Sequence, residues 1–204
     1  MQFKAVPTIA VIKKEEKEAK LKAFIADHFA RRQETAESAD GLATDCVFLL
    51  VARSYDSPVV RALADAIAEA GAQDIMVKAL ILMPGSQLAS SWPAALTEIT
   101  DGRTTGDLRL LDAHEQLWLN GETVWIGDCM RREPAKRDAY ECYAYGCEMT
   151  AKSVEAAFNR LWEKGSTVAM NSAAIGRAES PVIDPHLAHV TQSEPVAPTA
   201  STRH

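Results

Sequence analysis

Asn120-Gly121 separates two short apolar runs, Leu117-Trp118-Leu119 and Val124-Trp125-Ile126, and no other segment constrains the fold as much. Both central residues of a type I′ turn take positive φ, which glycine and asparagine tolerate best, so the pair predicts a two-residue β-hairpin. Upstream, Leu108, Leu110 and Leu111 extend the strand pattern toward Asp107, and the return strand ends at Gly127. The second half of the chain therefore contributes to a sheet.

The first half supplies the rest of an α/β pattern. Asp45–Tyr55 contains the continuous apolar run CVFLLVA, the mark of a strand buried on both faces. Ser57-Pro58 can cap and open a helix, which continues with Val60, Leu63, Ala64 and Ile67 on one side and stops at Gly71. Ile75–Leu82 is a second buried strand, closed by Pro84-Gly85, so a parallel βαβ unit is expected. Residues 85–106 read as a short helix bracketed by Trp92-Pro93 and a Gly102–Gly106 turn cluster. Before this unit, residues 13–33 form a charged helix with Leu21, Phe24, Ile25, His28 and Phe29 on one face. His28 reads as a packed side chain rather than a ligand. Glu34–Thr44 reads as a linker. After the hairpin, Tyr140–Cys147 is a strand candidate. Thr150 is then a candidate N-cap for a helix striped by Val154, Ala157, Phe158, Leu161 and Trp162, and ended by Gly165.

The 204 residues divide into a 1–44 segment with the charged helix, a domain over 45–170, and a tail over 171–204. The tail is rich in Pro, Ser, Thr and Ala without apolar periodicity, which reads as disorder. The formal charge of -6 runs against a chain built as a whole for phosphate backbones or acidic membrane surfaces. Cys46, Cys129, Cys142 and Cys147 include no CxxC pair, consistent with reduced thiols in a cytoplasmic protein. The apolar patch Ala5–Ile12 is too short to cross a bilayer, and it runs into a cluster of Lys and Glu without a cleavage signature. No glycine-rich phosphate loop is present and the tail histidines fit no metal pattern, so neither cofactor nor metal is expected. Arg131, Arg132, Lys136 and Arg137 crowd into seven residues. They form a candidate anion contact, or a solvated loop partly neutralised by Glu133 and Asp138. Cys129 is a candidate reactive thiol only if those arginines lower its pKa.

Taken in order, VARSYDSPVVRALADAIAEAGAQDIMVKALIL, HEQLWLNGETVWIGDCM, DAYE and AAFNRLW resemble one repeat of the phospholipase D superfamily, over roughly residues 45–165. The resemblance is to its small single-motif nucleases. It implies a single phospholipase D-like domain, a mixed sheet flanked by helices. It also implies a site in which one histidine attacks phosphorus, a partner histidine protonates the leaving oxygen, and lysines hold the phosphate oxygens.

This chain departs from that pattern at the positions that matter. The family's His-x-Lys strand is represented by His114 with Gln116 two residues on, or, if the turn is the anchor, by Ala113 and Glu115. A one-residue slip sends a side chain to the opposite face of a strand, so the two registers make different sites. Neither supplies the lysine. Asp128 stands where a serine follows the glycine, and Met130 or Arg131 where an asparagine would be. Glu141 is the candidate for the family glutamate, with Ala139 in place of the preceding Asn. Each lost contact removes about 100- to 1,000-fold in rate, as with an oxyanion donor.

The reading that follows is a non-catalytic structural, adaptor or regulatory module. The alternative is an enzyme of altered specificity on a phosphate-containing substrate, with His114 as nucleophile. A third is nucleic-acid binding through Arg131–Arg137, against which the acidic whole-chain charge argues. The resemblance also implies a homodimer, since single-motif members build one site from two chains. Trp118 and Trp125 of the hairpin could anchor it or fill the core, and the Leu21, Phe24, Ile25 and Phe29 face is the other candidate surface. The identity of any protein partner is not encoded in these patterns.

Overall fold

A computed structural model of the chain describes residues 6–38, 46–72, 74–82, 92–107, 109–110, 113–121, 123–129 and 140–167. Among these described residues, eight strands and four helices follow in the order β1 (Thr8–Val11), α1 (Lys17–Ser38), β2 (Cys46–Ala52), α2 (Pro58–Ala70), β3 (Ile75–Ile81), α3 (Ala94–Thr97), β4 (Thr100–Thr104), β5 (Gln116–Leu119), β6 (Val124–Ile126), β7 (Tyr140–Ala144), α4 (Glu148–Trp162) and β8 (Ser166–Thr167). A turn of 3-10 helix, Lys14–Glu16, leads into α1. The strands form one sheet in the order β1-β7-β6-β5-β2-β3-β4-β8. The β2–β3 and β3–β4 pairs are parallel and the rest antiparallel.

The expected βαβ unit is present. Proline occupies the first position of α2, and Gly71 closes it in the left-handed region at φ 56°. Alternation along β2 splits its side chains between two layers. Phe48 and Leu50 join Leu21, Phe24 and Ile25 of α1, Leu63 and Ile67 of α2, and Leu117, Leu119 and Trp125 of the hairpin. Leu49 and Val51 turn to the other face, where Phe158 of α4 packs with Leu80 and Leu82. Burying each large apolar side chain contributes about 1.5–3 kcal/mol, and central strands covered on both faces account for the unbroken apolar run of β2.

The hairpin is present, with Asn120 at φ 47° and Gly121 at φ 71° between β5 and β6. Its register pairs Trp118 with Val124, and the Leu119 N–H donates to the Thr123 carbonyl, so the connection is one residue longer than the two-residue turn expected. Four boundaries differ from the sequence expectation. Helix α1 continues to Ser38, beyond the assumed linker start at Glu34. Leu110 belongs to a turn, its N–H donating to the Asp107 carbonyl, and not to the hairpin strand. The N-cap of α4 is Cys147 rather than Thr150, with Cys147 Sγ and Thr150 Oγ1 3.1 Å apart.

The fourth difference is at Gly102, which reads as a turn residue but lies within β4. A Cβ there would stand 3.3 Å from Trp92 Nε1, so the glycine serves the close approach of an indole. A further strand, β1, comes from the apolar patch near the N-terminus. It pairs antiparallel with β7, so β1 and α1 pack into the same sheet and core as residues 46–167. No helix among the described residues is long and apolar enough to cross a membrane. The expected tail, residues 171–204, lies outside the described residues.

Candidate functional site

Where β5, β6 and β7 meet the start of α1, five charged side chains are packed together. Glu115 immediately precedes β5. Its side chain points to the α1–α2 face, as do those of Leu117 and Leu119. Glu141 lies on β7 and is wholly buried. Between them stands Lys17, the first residue of α1, only 5% exposed. Its Nζ is 3.0 Å from Glu141 Oε1 and 3.8 Å from Glu115 Oε2. The same ammonium sits 5.3 Å from the Trp125 ring centroid, within cation–π range.

A second pair closes the adjacent side. Arg53, just past β2, places Nη2 2.9 Å from Asp128 Oδ2, and its backbone N–H donates to Glu115 Oε1 at 3.1 Å. Asp128 is buried and held at φ 55°, a left-handed conformation that turns the chain sharply after Gly127. Gly127 itself is tightly constrained: a Cβ would lie 2.6 Å from Trp125 Cη2. Its N–H donates to the Glu115 carbonyl at 2.9 Å, which extends the β5–β6 ladder by one bond and fixes the register that brings Glu115 to Glu141.

Buried charge on this scale has electrostatic consequences. Burial pushes the Glu141 carboxyl above the ordinary glutamate range, and the neighbouring Glu115 adds to the shift, while Lys17 pulls the other way. Burial also raises the Tyr143 hydroxyl, again with a contribution from Glu141. An isolated buried carboxylate costs several kcal/mol, so Lys17 and Arg53 are needed where they are.

His114 is half-buried, with Nδ1 3.2 Å from the Gly127 carbonyl oxygen. Glu115, not His114, is therefore the residue that meets Glu141 across Lys17. The arginines and lysine of the basic segment, Arg131, Arg132, Lys136 and Arg137, lie outside the described residues. Burial pushes the Cys129 thiol up, and the nearby Glu141 and Asp128 carboxylates push in the same direction, so the described surroundings disfavour its thiolate. No group of His, Cys, Asp and Glu suited to a metal ion occurs among the described residues. Of the two surfaces considered for self-association, Trp125 is wholly buried and Trp118 packs beneath α4. Leu21, Phe24 and Ile25 are core as well.

Lys17 is the residue that sequence reasoning missed, because it sits in the charged stretch Lys13–Glu18 and reads as part of a solvated face. Its spacing carried the signal. Positions 17, 21, 24, 25 and 28 fall on one helical stripe, which puts the lysine at the head of the apolar face.

No protein-family model matches the chain, and no curated protein does so by sequence. Solved structures do. Nuc from Salmonella typhimurium, a phospholipase D family member, aligns over 80% of this chain and 99% of its own, with a TM-score of 0.50 and 16% identity. The fold is phospholipase D-like. TrmBL2, an archaeal chromatin protein described as showing a novel mode of DNA binding, aligns over 81% of this chain with a TM-score of 0.51 and 16% identity. This chain spans 56% of the TrmBL2 chain. At these identities the likeness concerns the fold alone.

Proposed function

We propose that this protein is a non-catalytic phospholipase D-like protein, a structural, adaptor or regulatory interaction module that works as a homodimer. One observation carries the reading: the two cations of the site, the buried Lys17 and the partly exposed Arg53, are paired with the chain's own carboxylates, Glu141 and Glu115 in one case and Asp128 in the other. With the turn as anchor, Glu115 takes the place that the resemblance gives to a phosphate-binding lysine. Asp128 takes that of a serine, and Glu141 that of the family glutamate. Lys17 then returns an ammonium to the same spot from a different element, but as the partner of two acids rather than of a phosphate. Bringing a phosphodiester in would require displacing those acids or burying further negative charge beside them, at a cost of several kcal/mol.

The test is hydrolysis of a generic phosphodiester ester and of DNA by the purified protein. Turnover no greater than that of the His114→Ala variant is the expected result. Turnover that His114→Ala abolishes, and Cys129→Ala spares, would overturn the reading in favour of an enzyme that uses His114.

A second reading, nucleic-acid binding, is favoured by the DNA-binding role of TrmBL2, whose fold is similar. The net charge of -6 runs against it, and any contribution must come from a local patch such as Arg131–Arg137. Binding to duplex DNA that weakens steeply with salt would support it.

A further inference from the structure

The outer edge of the sheet is unusual in what it leaves uncovered. Among the described residues, strand β1 is the terminal strand on one side and pairs with β7 alone. Val6, Ile9 and Val11 are 81%, 56% and 71% exposed, and they make up three of the five large exposed hydrophobics among the described residues. Ile9 pairs with Cys142, which puts Ile9 and Val11 on the sheet face that carries α4. That helix lies over β2, β5 and β6, so it leaves the side chains of β1 bare. Proteins usually blunt such an edge with charged side chains, bulges, proline or a short strand, and here Pro7 and the four-residue length of β1 do so only in part. From Val6 to Ile12 there is no charged residue, and β1 pairs with β7 in an unbroken register.

The opposite face of the same strand borders a groove of about 490 Å³ between β1 and α1. Ala10, Phe24, Tyr143 and Tyr145 line it, together with the exposed Glu16 and Lys20. An acid and a base one helical turn apart form a self-complementary pattern. A two-fold rotation reverses their order, so that Glu16 of one copy is set toward Lys20 of the other.

We infer that β1 is the seam of the homodimer: two copies pair edge to edge, antiparallel, about a two-fold axis normal to the sheet through Ile9. An axis normal to the sheet keeps each face on its own side, so residues that meet must share a face. Centred on Ile9, the register opposes Ile9 to its own copy and Val11 to Pro7, joining two bare apolar strips into one. The backbone groups along the outer edge of β1 then gain partners, and the two sheets become one continuous sheet. The inference rests on the homodimer in the reading above and not on the absence of catalysis. It replaces the hairpin and α1 surfaces, where Trp125, Leu21, Phe24 and Ile25 are buried in the monomer's own core and Trp118 and Phe29 are partly buried against it.

Light scattering on the full chain at micromolar concentration is expected to give twice the 22.2 kDa chain mass. Replacing Ile9→Lys together with Val11→Lys is expected to raise the dissociation constant on the order of 100-fold, because like charges juxtaposed across an interface are strongly disfavoured. The melting temperature of the resulting monomer should stay close to that of the dilute wild type, since both side chains are exposed. Met76→Lys, at an exposed methionine elsewhere on the sheet, should leave the dimer intact. As an independent readout, Ile9→Cys should form a disulfide-linked dimer on mild oxidation with copper phenanthroline, well above the wild-type background. A wild-type monomer would overturn both the seam and the homodimer. A dimer that survives the paired lysine substitutions, or an Ile9→Cys variant that does not cross-link, would overturn the seam alone.

Discussion

Lys17 of α1 and Glu141 of β7 form an ion pair of 3.0 Å in a place where neither is more than 5% exposed. The residues are 124 positions apart by their numbers, and their pairing ties the first helix to the strand next to the sheet edge. A salt bridge that has lost its water stabilises little relative to an apolar replacement of the same shape, yet removing one partner is severe. This asymmetry makes it a device for fixing where α1 starts rather than a source of net stability.

Lys17→Met should therefore destabilise the fold by about 3–5 kcal/mol, because it strands two carboxylates in a dry site. Adding Glu141→Gln to that variant should recover a large part of the loss. Urea unfolding of the wild type, both single variants and the double variant gives the coupling directly. Additive losses would show that the two groups do not interact and would remove the electrostatic account of the site.

His28 supplies a pH dependence with a clear sign. Burial holds its imidazole pKa down at about 4, from an ordinary 6.5, and Arg32 and Arg31 contribute in the same direction. In the folded protein the ring stays neutral between those values, while in the unfolded chain it takes up a proton below 6.5. Stability is therefore complete above pH 6.5 and falls as the pH drops toward 4, by on the order of 3 kcal/mol from this one group. The Glu141 carboxyl, shifted upward, contributes the opposite slope above its ordinary range near 4.5. His28→Leu should flatten the wild-type decline between pH 6.5 and 4. An unchanged slope in chemical denaturation across that range would show that His28 is not buried in the neutral form.

Local chemistry made the central strands and the hairpin legible. The unbroken run CVFLLVA marks a strand covered on both sides, and Asn120-Gly121 marks a tight reversal with positive φ at both residues, though not the length of the connection. The short peripheral elements were hidden because their patterns are decided by neighbours distant in sequence. Gly102 is a strand residue only because Trp92 lies against it. The β1 strand has no alternation of its own and is defined by β7. In the site, Glu115, Asp128 and Glu141 could be aligned from the sequence, but their relation could not. Whether Glu115 or His114 faces inward depends on a one-residue register, fixed by the Gly127 N–H bonding the Glu115 carbonyl. The lysine that joins the acids arrives from a helix roughly 100 residues away, a pairing that only the tertiary fold creates.

Gly127 offers a packing test of that register. A methyl group there would meet Trp125 Cη2 and Cζ2 at 2.6 and 2.7 Å, and the indole has no free space since it is wholly buried. Gly127→Ala should cost about 1–3 kcal/mol by overpacking. It should also alter the near-ultraviolet circular dichroism as the Trp125 ring is displaced from Lys17. An alanine variant as stable as the wild type, with an unchanged aromatic signal, would mean that the turn holds the ring less closely than described.

The last prediction concerns anion binding, which the arrangement of charges controls. In the wild type, Lys17 and Arg53 face three carboxylates, those of Glu115, Asp128 and Glu141, so the cluster has no surplus positive charge with which to hold a phosphate. Inorganic phosphate at constant ionic strength should leave the wild-type melting temperature unchanged, because a ligand stabilises only by binding the folded state. The paired substitution Glu115→Lys and Asp128→Ser turns two cations against three acids into three cations against one. It also removes the carboxylate that pairs with Arg53. That variant should gain a melting temperature that rises with phosphate concentration but not with chloride, as expected when fixed cations converge on an anion. Phosphate-dependent stabilisation of the wild type itself would show that the internal pairs yield to an anion, and the reading of the site as internally neutralised would fall with it.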